Sequence, residues 1–365
     1  MMFDFRLSPR SYGSDGARHP TFAFGIVHAF RLLGRLSPSL FQAAEGVCRD
    51  WAARKDRGRP SRLGRPAAGE TAPQPHLLHD EQHVCVLAKP AGWTVSVSHS
   101  SGSEPVVLRQ AQKGPQLQNW IMEKMENPIA MDVSAAHGLL HRLDRGTSGL
   151  ILCAKTYLGF YLSQLEFEAR RLRKTYLCIC EGHAPTPPFL LEAPLATRGG
   201  RAFVSTRGKH AQTEVVEVSH LLDEVGQPCS LLEVRLHTGR LHQIRAHLSS
   251  IGHAIRGDAS YGGTKGPRVL LHASRLQIDL RGLGSSIDVT AALPEDFSAA
   301  LEAMVPCSQK CASIVKQQSR ADSRAMQSGV KDGSFTCVTS VTRCFTFKLS
   351  GCGLCRALAL TAFCS

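Results

Sequence analysis

The chain has 365 residues, of which 43% are hydrophobic and 20% are charged. A chain of this length and composition can bury a sizeable core, so we expect a globular protein. No apolar run approaches the ~20 residues that a membrane-spanning helix needs, which argues against a membrane protein. The formal net charge is +13, and such an excess favours a polyanionic partner, most often nucleic acid.

The basic excess lies at the two ends of the chain. Residues 1–75 contain 12 Lys and Arg against 6 Asp and Glu, and residues 301–365 contain 8 against 3. Residues 76–300 are nearly balanced, with 23 against 21. This distribution predicts three segments, with boundaries near residues 75 and 300.

The first segment, residues 1–75, is rich in Arg, Pro, Gly, Ser and Ala and has one amphipathic stretch with Arg31 and Arg35 at helical spacing. Two interpretations fit: an organelle-targeting presequence, or a disordered basic extension. Its six acidic residues count against the first, because transit peptides are poor in acids. We expect an intracellular location, and mitochondrion, plastid, cytoplasm and nucleus all stay open.

The last segment, residues 301–365, holds seven of the 13 cysteines and is predicted to be a disordered basic tail. Cys352 and Cys355 form a CxxC, and Cys307 with Cys311 is a second candidate pair for zinc. The pairs are separated by about 40 residues and the tail has no histidine, so we predict no metal site. The six earlier cysteines lie mostly in apolar stretches and are expected to be free thiols.

The central segment, residues 76–300, has the hydrophobic pattern of many strands and few helices. Its strands are predicted at 84–88, 175–183, 213–222, 229–239, 268–280 and 286–293, and its helices at 117–128, 157–176 and 242–250. Strands and helices do not alternate strictly along the sequence. We therefore predict an α+β domain with a mixed, mostly antiparallel central sheet, flanking helices and a catalytic cleft.

The segment HRLDRGTSG, residues 141–149, places polar side chains directly before the apolar run 150–154. Asp144 should therefore lie at a loop or strand edge, where active-site carboxylates are usually found. An ionised Asp at such a position can act as a nucleophile or a general base. Alternatively, Asp144 is structural and pairs with Arg142 or Arg145, or caps a turn. This segment alone leaves both interpretations open.

Two further segments carry candidate groups. In TGRLHQIRAHL, residues 238–248, a helix that begins near His242 would turn Arg245 toward a site. His242 and His247 are five residues apart, not the four that align ligands on one helical face, so we exclude a metal there. In RRLRKTYLCICEG a basic run precedes Tyr176, at the start of a strand. A core position, stacking on a base and proton transfer all fit this tyrosine.

Taken together, these motifs resemble the RluA-type RNA pseudouridine synthases. HRLDRGTSG is similar to the family's catalytic motif, LAKPAGWTV to its first motif, RKTYLCICEG to its tyrosine strand and TGRLHQIRAHL to its arginine motif. GKHAQTE, LLHASRL and ALPEDF resemble its mid-domain strand and closing elements. The motifs follow the family's order over residues 76–300. The resemblance implies the pseudouridine synthase fold for this segment.

The resemblance also implies an enzyme that isomerises uridines in RNA to pseudouridine. Asp144 would be the nucleophile that attacks ribose C1′ or uracil C6, Arg245 would pair with it, and Tyr176 would stack on the uracil and take the C5 proton. No cofactor or metal is implied, because this isomerisation has no redox step. The target base must leave its stack, so a surface that grips RNA is needed. The candidates for that surface are Lys89, Arg142, Arg240, His242, Gln243 and the basic run 170–174.

The implied partner is RNA, ribosomal or transfer, bound by a monomer without a membrane or a small-molecule cofactor. A rival interpretation is an inactive RNA-binding protein that keeps the fold. The joint presence of Asp144, Tyr176 and Arg245 argues against it, since an ionised Asp repels phosphate. A hydrolase would need a second carboxylate at a matching motif, and the nearest candidate, Asp258, follows a glycine and is expected to be structural.

Overall fold

The computed structural model describes residues 73–95 and 114–327, together with Gly46, Arg49, Ala52 and Ala53. The amphipathic stretch with Arg31 and Arg35, for which a targeting role stays open, and the Cys352 and Cys355 pair lie outside these residues. The strands are β1 (His76–Asp80), β2 (Val84–Lys89), β3 (Ser148–Ala154), β4 (Arg173–Glu181), β5 (Phe189–Glu192), β6 (Leu195–Arg198), β7 (Arg201–Val204), β8 (Gln212–Leu222), β9 (Pro228–Leu236), β10 (Leu271–Leu280), β11 (Ser285–Thr290) and β12 (Val305–Pro306). The α-helices are α1 (Leu117–Lys124), α2 (Tyr157–Glu168), α3 (Gln243–Ser250), α4 (Glu295–Glu302) and α5 (Gln309–Gln327).

Ten of the described strands form one mixed sheet. Its order is β1-β2-β3-β10-β4-β9-β8-β12, with β11 paired to β10 and β5 paired to β8. Neighbouring strands are antiparallel except β3 and β10, which run parallel. Strands β6 and β7 form a separate hairpin. The predicted α+β class with a mixed, mostly antiparallel sheet is therefore confirmed.

The strand that follows Asp144, β3, is buried along its whole length. It lies between β2 and β10, and its two faces contribute to different apolar clusters. Ile151 packs in one cluster with Tyr176, while Leu152 packs in the other with Leu276. Burial on both faces explains the near-continuous apolar run SGLILCA. The residues around Asp144 are thus attached to a fully buried strand inside the sheet.

Gly149 allows β3 to approach β10 closely. Its φ is +117°, and a Cβ built on it would lie 2.3 Å from the carbonyl oxygen of Ala273. These two residues are direct partners in the parallel pairing, and beside them Ser148 Oγ and His272 Nδ1 are 2.9 Å apart. Glycine alone tolerates both the left-handed backbone and the close approach. The junction therefore depends on this residue.

Helix α2 is shorter than the sequence predicts. The apolar period indicates a helix over 157–176, but the helix ends at Glu168. Arg170 adopts a left-handed conformation with φ +56°, which ends the helical path. The basic residues from Arg173 onward can then pair as β4 in the sheet.

Ordered structure extends past residue 300. Strand β12 pairs with the end of β8, and helix α5 follows it. Met304 and Val315 pack against the apolar cluster that contains Phe297 and Leu301. The prediction that a tail begins at residue 301 is corrected for residues 301–327, because their apolar side chains cover a cluster that α4 would otherwise leave open to water.

Candidate active site

The loop that carries Asp144 is tied to the end of β2. Lys89 Nζ donates to the carbonyl of Trp93 at 2.9 Å and lies 3.4 Å from the carbonyl of Arg145. Arg145 Nε in turn donates to the carbonyl of Gly92 at 3.1 Å, and Gly92 N donates to Arg145 O at 2.7 Å. These contacts hold the backbone on the C-terminal side of Asp144, so its side chain has a defined direction.

Asp144 pairs with Arg245 and with neither arginine beside it. Arg245 Nη1 donates to Asp144 Oδ2 at 3.2 Å. Arg145 is engaged by the Gly92 backbone, and Arg142 is exposed. The Asp144 side chain is 21% exposed, against 10% for Arg245. A partly open carboxylate thus lies against a buried cation, which is the arrangement that a reactive carboxylate needs.

Arg245 is fixed from its other side by Asp258. Arg245 Nε donates to Asp258 Oδ2 at 2.6 Å, and Nη2 donates to Oδ1 at 2.9 Å. Ser260 Oγ accepts from Arg245 Nη2 at 2.8 Å and donates to Asp258 Oδ1 at 2.7 Å. Burial alone would raise the pKa of Asp258, but the hydrogen bonds from Arg245 and Ser260 outweigh burial and lower it. Asp258 is therefore a carboxylate that orients the guanidinium, and Nη1 is left for Asp144.

Tyr261 and His242 complete the surroundings of the ion pair. Arg245 Cζ lies 4.8 Å from the Tyr261 ring centroid, and Arg201 Cζ, from β7, lies 4.5 Å from it. The Tyr261 hydroxyl is 3.1 Å from His242 Nδ1, and His242 Nε2 is 3.8 Å from Asp144 Oδ2. Burial lowers the pKa of His242 although Asp144 pulls it upward. At neutral pH this imidazole is uncharged, so Arg245 supplies the positive charge beside Asp144.

Tyr176 lies on β4, near enough to Asp144 for the charge of the carboxylate to act on its phenol. The residue is 4% exposed, and its ring packs with Ile151 and Ile244 in the cluster under the site. Within the described part of the chain its hydroxyl makes no hydrogen bond. Burial, followed by the negative charge of Asp144, raises the pKa of Tyr176. The resting group is therefore a neutral phenol.

Two of the predicted RNA contacts lie inside the protein. Lys89 is 1% exposed and is engaged by backbone carbonyls, as described above. Gln243 is 2% exposed; its Oε1 accepts from Thr238 Oγ1 and from Arg240 N, and its Nε2 donates to Gln212 O. All of these bonds are internal. The structure therefore places both side chains inside the protein, where they hold the two loops of the site, and direct contact of either with RNA stays a prediction.

The other predicted RNA contacts lie nearer the surface. Arg142 is exposed, and Arg240 is partly exposed with its Nε donating to His210 O at 2.9 Å. In the basic run 170–174, Arg170 and Arg173 are exposed. Contact of these side chains with RNA stays a prediction.

Within residues 73–95 and 114–327 no three His, Cys, Asp or Glu side chains are grouped so that they could hold a metal ion. The cysteines described before residue 300 are all buried free thiols, as expected: Cys85, Cys153, Cys178, Cys180 and Cys229. No described helix is both long enough and apolar enough to cross a bilayer.

Sequence reasoning did not assign Asp258, Ser260 or Tyr261 to the site. All three lie in GDASYGG, 13 to 16 residues after Arg245, where a 3₁₀ helix at Ala259–Tyr261 turns the chain back. The available signal was a polar cluster close to the arginine motif. Whether this polar cluster belongs to the site depends on which of its side chains face Arg245, and no local sequence pattern contains that information.

Comparison with known proteins assigns the family. The family model described as RNA pseudouridylate synthase matches residues 83–250. The "Ribosomal large subunit pseudouridine synthase D" of Zymomonas mobilis subsp. mobilis is 31% identical over 253 residues, which cover 64% of this chain and 74% of the relative. The "Dual-specificity RNA pseudouridine synthase RluA" of Escherichia coli (strain K12) is 29% identical over 229 residues, which cover 60% and 93%. The solved structure "Human RNA Pseudouridylate Synthase Domain Containing 1" aligns with 69% of this chain and 97% of its own, at 22% identity and a TM-score of 0.49. The chain belongs to the RluA-type family of RNA pseudouridine synthases and is thus an RNA pseudouridine synthase, an isomerase.

Proposed function

We propose that the chain converts uridine in RNA to pseudouridine with Asp144 as the nucleophile. One observation carries this proposal: Asp144 is partly open and touches Arg245 at 3.2 Å, while a second carboxylate, Asp258, holds the same guanidinium and is 1% exposed. Asp258 is occupied by Arg245 and Ser260 and is shielded from substrate. Of the two carboxylates, Asp144 is the one that a nucleoside can reach.

In the proposed reaction an Asp144 oxygen attacks ribose C1′ or uracil C6, and the bond between N1 and C1′ breaks. The freed uracil turns, C5 forms the new bond to C1′, and the bond to Asp144 breaks, which restores the carboxylate. Overall C5 loses one proton and N1 gains one, with no change in oxidation state. The protein contributes a charged, oriented carboxylate and a site that retains the freed base.

Tyr176 is proposed to handle the proton that leaves C5. Its hydroxyl has no hydrogen-bond partner among the described residues, and its raised pKa keeps it neutral at rest. A neutral phenol can accept one proton while it passes its own to another acceptor, so it suits a reaction that moves a proton between two positions of one base. Its ring would also offer a flat face to the uracil.

The proposed partner is RNA, gripped by the exposed arginines of the catalytic loop and of the run 170–174. The names of the relatives point to the large ribosomal subunit for the Zymomonas mobilis protein and to two specificities for the Escherichia coli protein. We propose ribosomal RNA as the first target to test for this chain, with transfer RNA as the second. Mapping pseudouridines in total RNA with and without the protein would identify the modified uridine.

The substitution Asp144→Asn tests the nucleophile. The amide has the same shape but no charge, so we expect no release of tritium from RNA labelled at C5 of uridine, with RNA binding retained. Asp279→Asn is the matched control, because Asp279 lies at the surface and pairs with Arg281. Substantial turnover by Asp144→Asn would overturn the assignment. Wild-type protein that binds RNA without releasing tritium would instead support the inactive RNA-binding alternative.

A further inference from the structure

Lys174 carries an ammonium group that lacks an acceptor. It lies on β4 two residues before Tyr176, so the two side chains project from the same face of the strand. Its Nζ is 5.9 Å from the centroid of the Phe167 ring, and among the described residues no hydrogen bond or ion pair reaches it. Burial lowers the pKa of Lys174 to about 8. Lys89, by contrast, has backbone carbonyls as partners.

His141 presents a second unused donor beside the same aromatic ring. Leu152 N donates to His141 Nε2 at 2.9 Å, so the neutral imidazole carries its proton on Nδ1. Burial, followed by the positive charge of Lys174, holds the pKa of His141 well below its usual value. Nδ1 is buried without a hydrogen-bond partner, and the imidazole is 5.7 Å from the Phe167 ring. A buried donor without an acceptor is unfavourable unless a water molecule or a ligand satisfies it.

An exposed glycine, Gly239, lies next to the ammonium. The turn Thr238-Gly239-Arg240 passes over Lys174, and a Cβ at Gly239 would lie 3.8 Å from Lys174 Nζ. Because Gly239 is exposed, an anion can approach the ammonium from this side. His141 precedes Asp144 by three residues and Lys174 precedes Tyr176 by two. Both donors are therefore close in sequence to a proposed catalytic residue, and both lie beside the Phe167 ring.

We propose that Lys174 binds a phosphate of the RNA backbone next to the target uridine, with His141 Nδ1 as a second donor in the same subsite. The proposal rests on RNA being the substrate, as proposed above, and names where its backbone is held. A phosphate has several acceptor oxygens, so it can satisfy both donors. Free phosphate shares this chemistry, but only a backbone phosphate is tethered to the base that Asp144 attacks. A contact of this kind positions the backbone and carries no sequence information.

Salt-dependent RNA binding by Lys174→Gln tests the subsite. The measurement is made in an Asp144→Asn background, so that the RNA stays unmodified. We expect affinity to fall about tenfold, and the plot of log affinity against log salt to become shallower by roughly 0.7 to 0.9 for one lost phosphate contact. Lys174→Arg should restore most of the affinity. Lys124→Gln, at an exposed lysine on α1, should change neither quantity.

Neutral methylphosphonates placed singly around the target uridine locate the contact. At one position the substitution should weaken binding to the protein with Lys174 and have no further effect on Lys174→Gln. The proposal would be overturned if the affinity loss from each methylphosphonate added to the loss from Lys174→Gln at every position, or if Lys174→Gln left the salt dependence unchanged. The proposal would also be overturned if inorganic phosphate competed with RNA only when Lys174 is present, while the methylphosphonate penalties still added to that of Lys174→Gln. In that case the ligand of Lys174 would be a free anion. Turnover by Asp144→Asn would refute the assignment of Asp144 as the nucleophile. The binding measurements would still test the phosphate subsite.

Discussion

Asp258 holds Arg245 by two hydrogen bonds, of 2.6 Å and 2.9 Å, whereas Asp144 receives one bond of 3.2 Å from the same guanidinium. The shielded carboxylate therefore orients the cation, and the more open one is left with a single contact. Arg245 orients the Asp144 carboxylate through this one hydrogen bond and leaves it partly exposed. Loss of Asp258 should consequently reduce stability and also leave Arg245, the partner of the proposed nucleophile, less well oriented.

Replacing Asp258 with Asn should destabilise the protein by roughly 3 to 5 kcal/mol, because it leaves a buried guanidinium without its counter-charge. Urea denaturation of purified protein measures this, and tritium release should fall in the same variant. Asp288→Asn is the control: Asp288 pairs with Arg275 at the surface, so the loss should be about 1 kcal/mol or less. Equal losses for the two variants would contradict the assigned role of Asp258.

Replacing Tyr176 with Phe should slow pseudouridine formation by about 10² to 10⁴ and leave stability nearly unchanged. The ring is kept, and the hydroxyl that is lost has no hydrogen bond in the described structure. Tyr157→Phe is the opposite control, since the Tyr157 hydroxyl donates to Asp132 at 2.9 Å. That variant should lose about 1 kcal/mol of stability and keep its turnover. Full turnover by Tyr176→Phe would remove the hydroxyl from the mechanism.

Lys89 should give the free energy of unfolding a recognisable pH dependence. Burial lowers its pKa to about 7 from 10.5, so between these values the unfolded chain binds more protons than the folded one. Stability contributed by this group therefore rises as pH increases from about 7 toward 10.5. Urea titrations over that window should show a smaller rise for Lys89→Met than for wild type. Parallel curves would mean that the lysine titrates normally.

Gly149→Ala should prevent stable folding, because the new Cβ would meet the Ala273 carbonyl at 2.3 Å and the backbone φ is +117°. We expect a loss of more than about 3 kcal/mol. Gly199→Ala is the control: its φ is also positive, but no atom lies within 4 Å of the added carbon. Its cost should be only about 1 to 2 kcal/mol. Thermal melting of both variants distinguishes steric overlap from backbone strain.

Local pattern was enough to predict much of the fold. The predicted strands around Val84, Tyr176, Val218 and Leu232 are present, as is the helix that carries Arg245, because alternation and helical period directly reflect which faces are buried. Helix α2 was predicted too long because the basic run after it kept an acceptable helical composition. Residues 301–327 were predicted as tail because their polar composition outweighed a few apolar contacts, such as that of Met304.

The sequence by itself determined the family, the fold class and the proposed catalytic residues, since motif order and residue type survive without coordinates. Only the tertiary structure decided which charges meet. Asp144 and Arg245 are 101 residues apart in sequence, and their side chains meet because the packing of β3 and α3 brings them together. Burial likewise separated Lys89 and Gln243, which support loops, from the surface arginines. Whether a polar side chain faces a partner, a ligand or the interior depends on long-range packing, which no local stretch of sequence encodes.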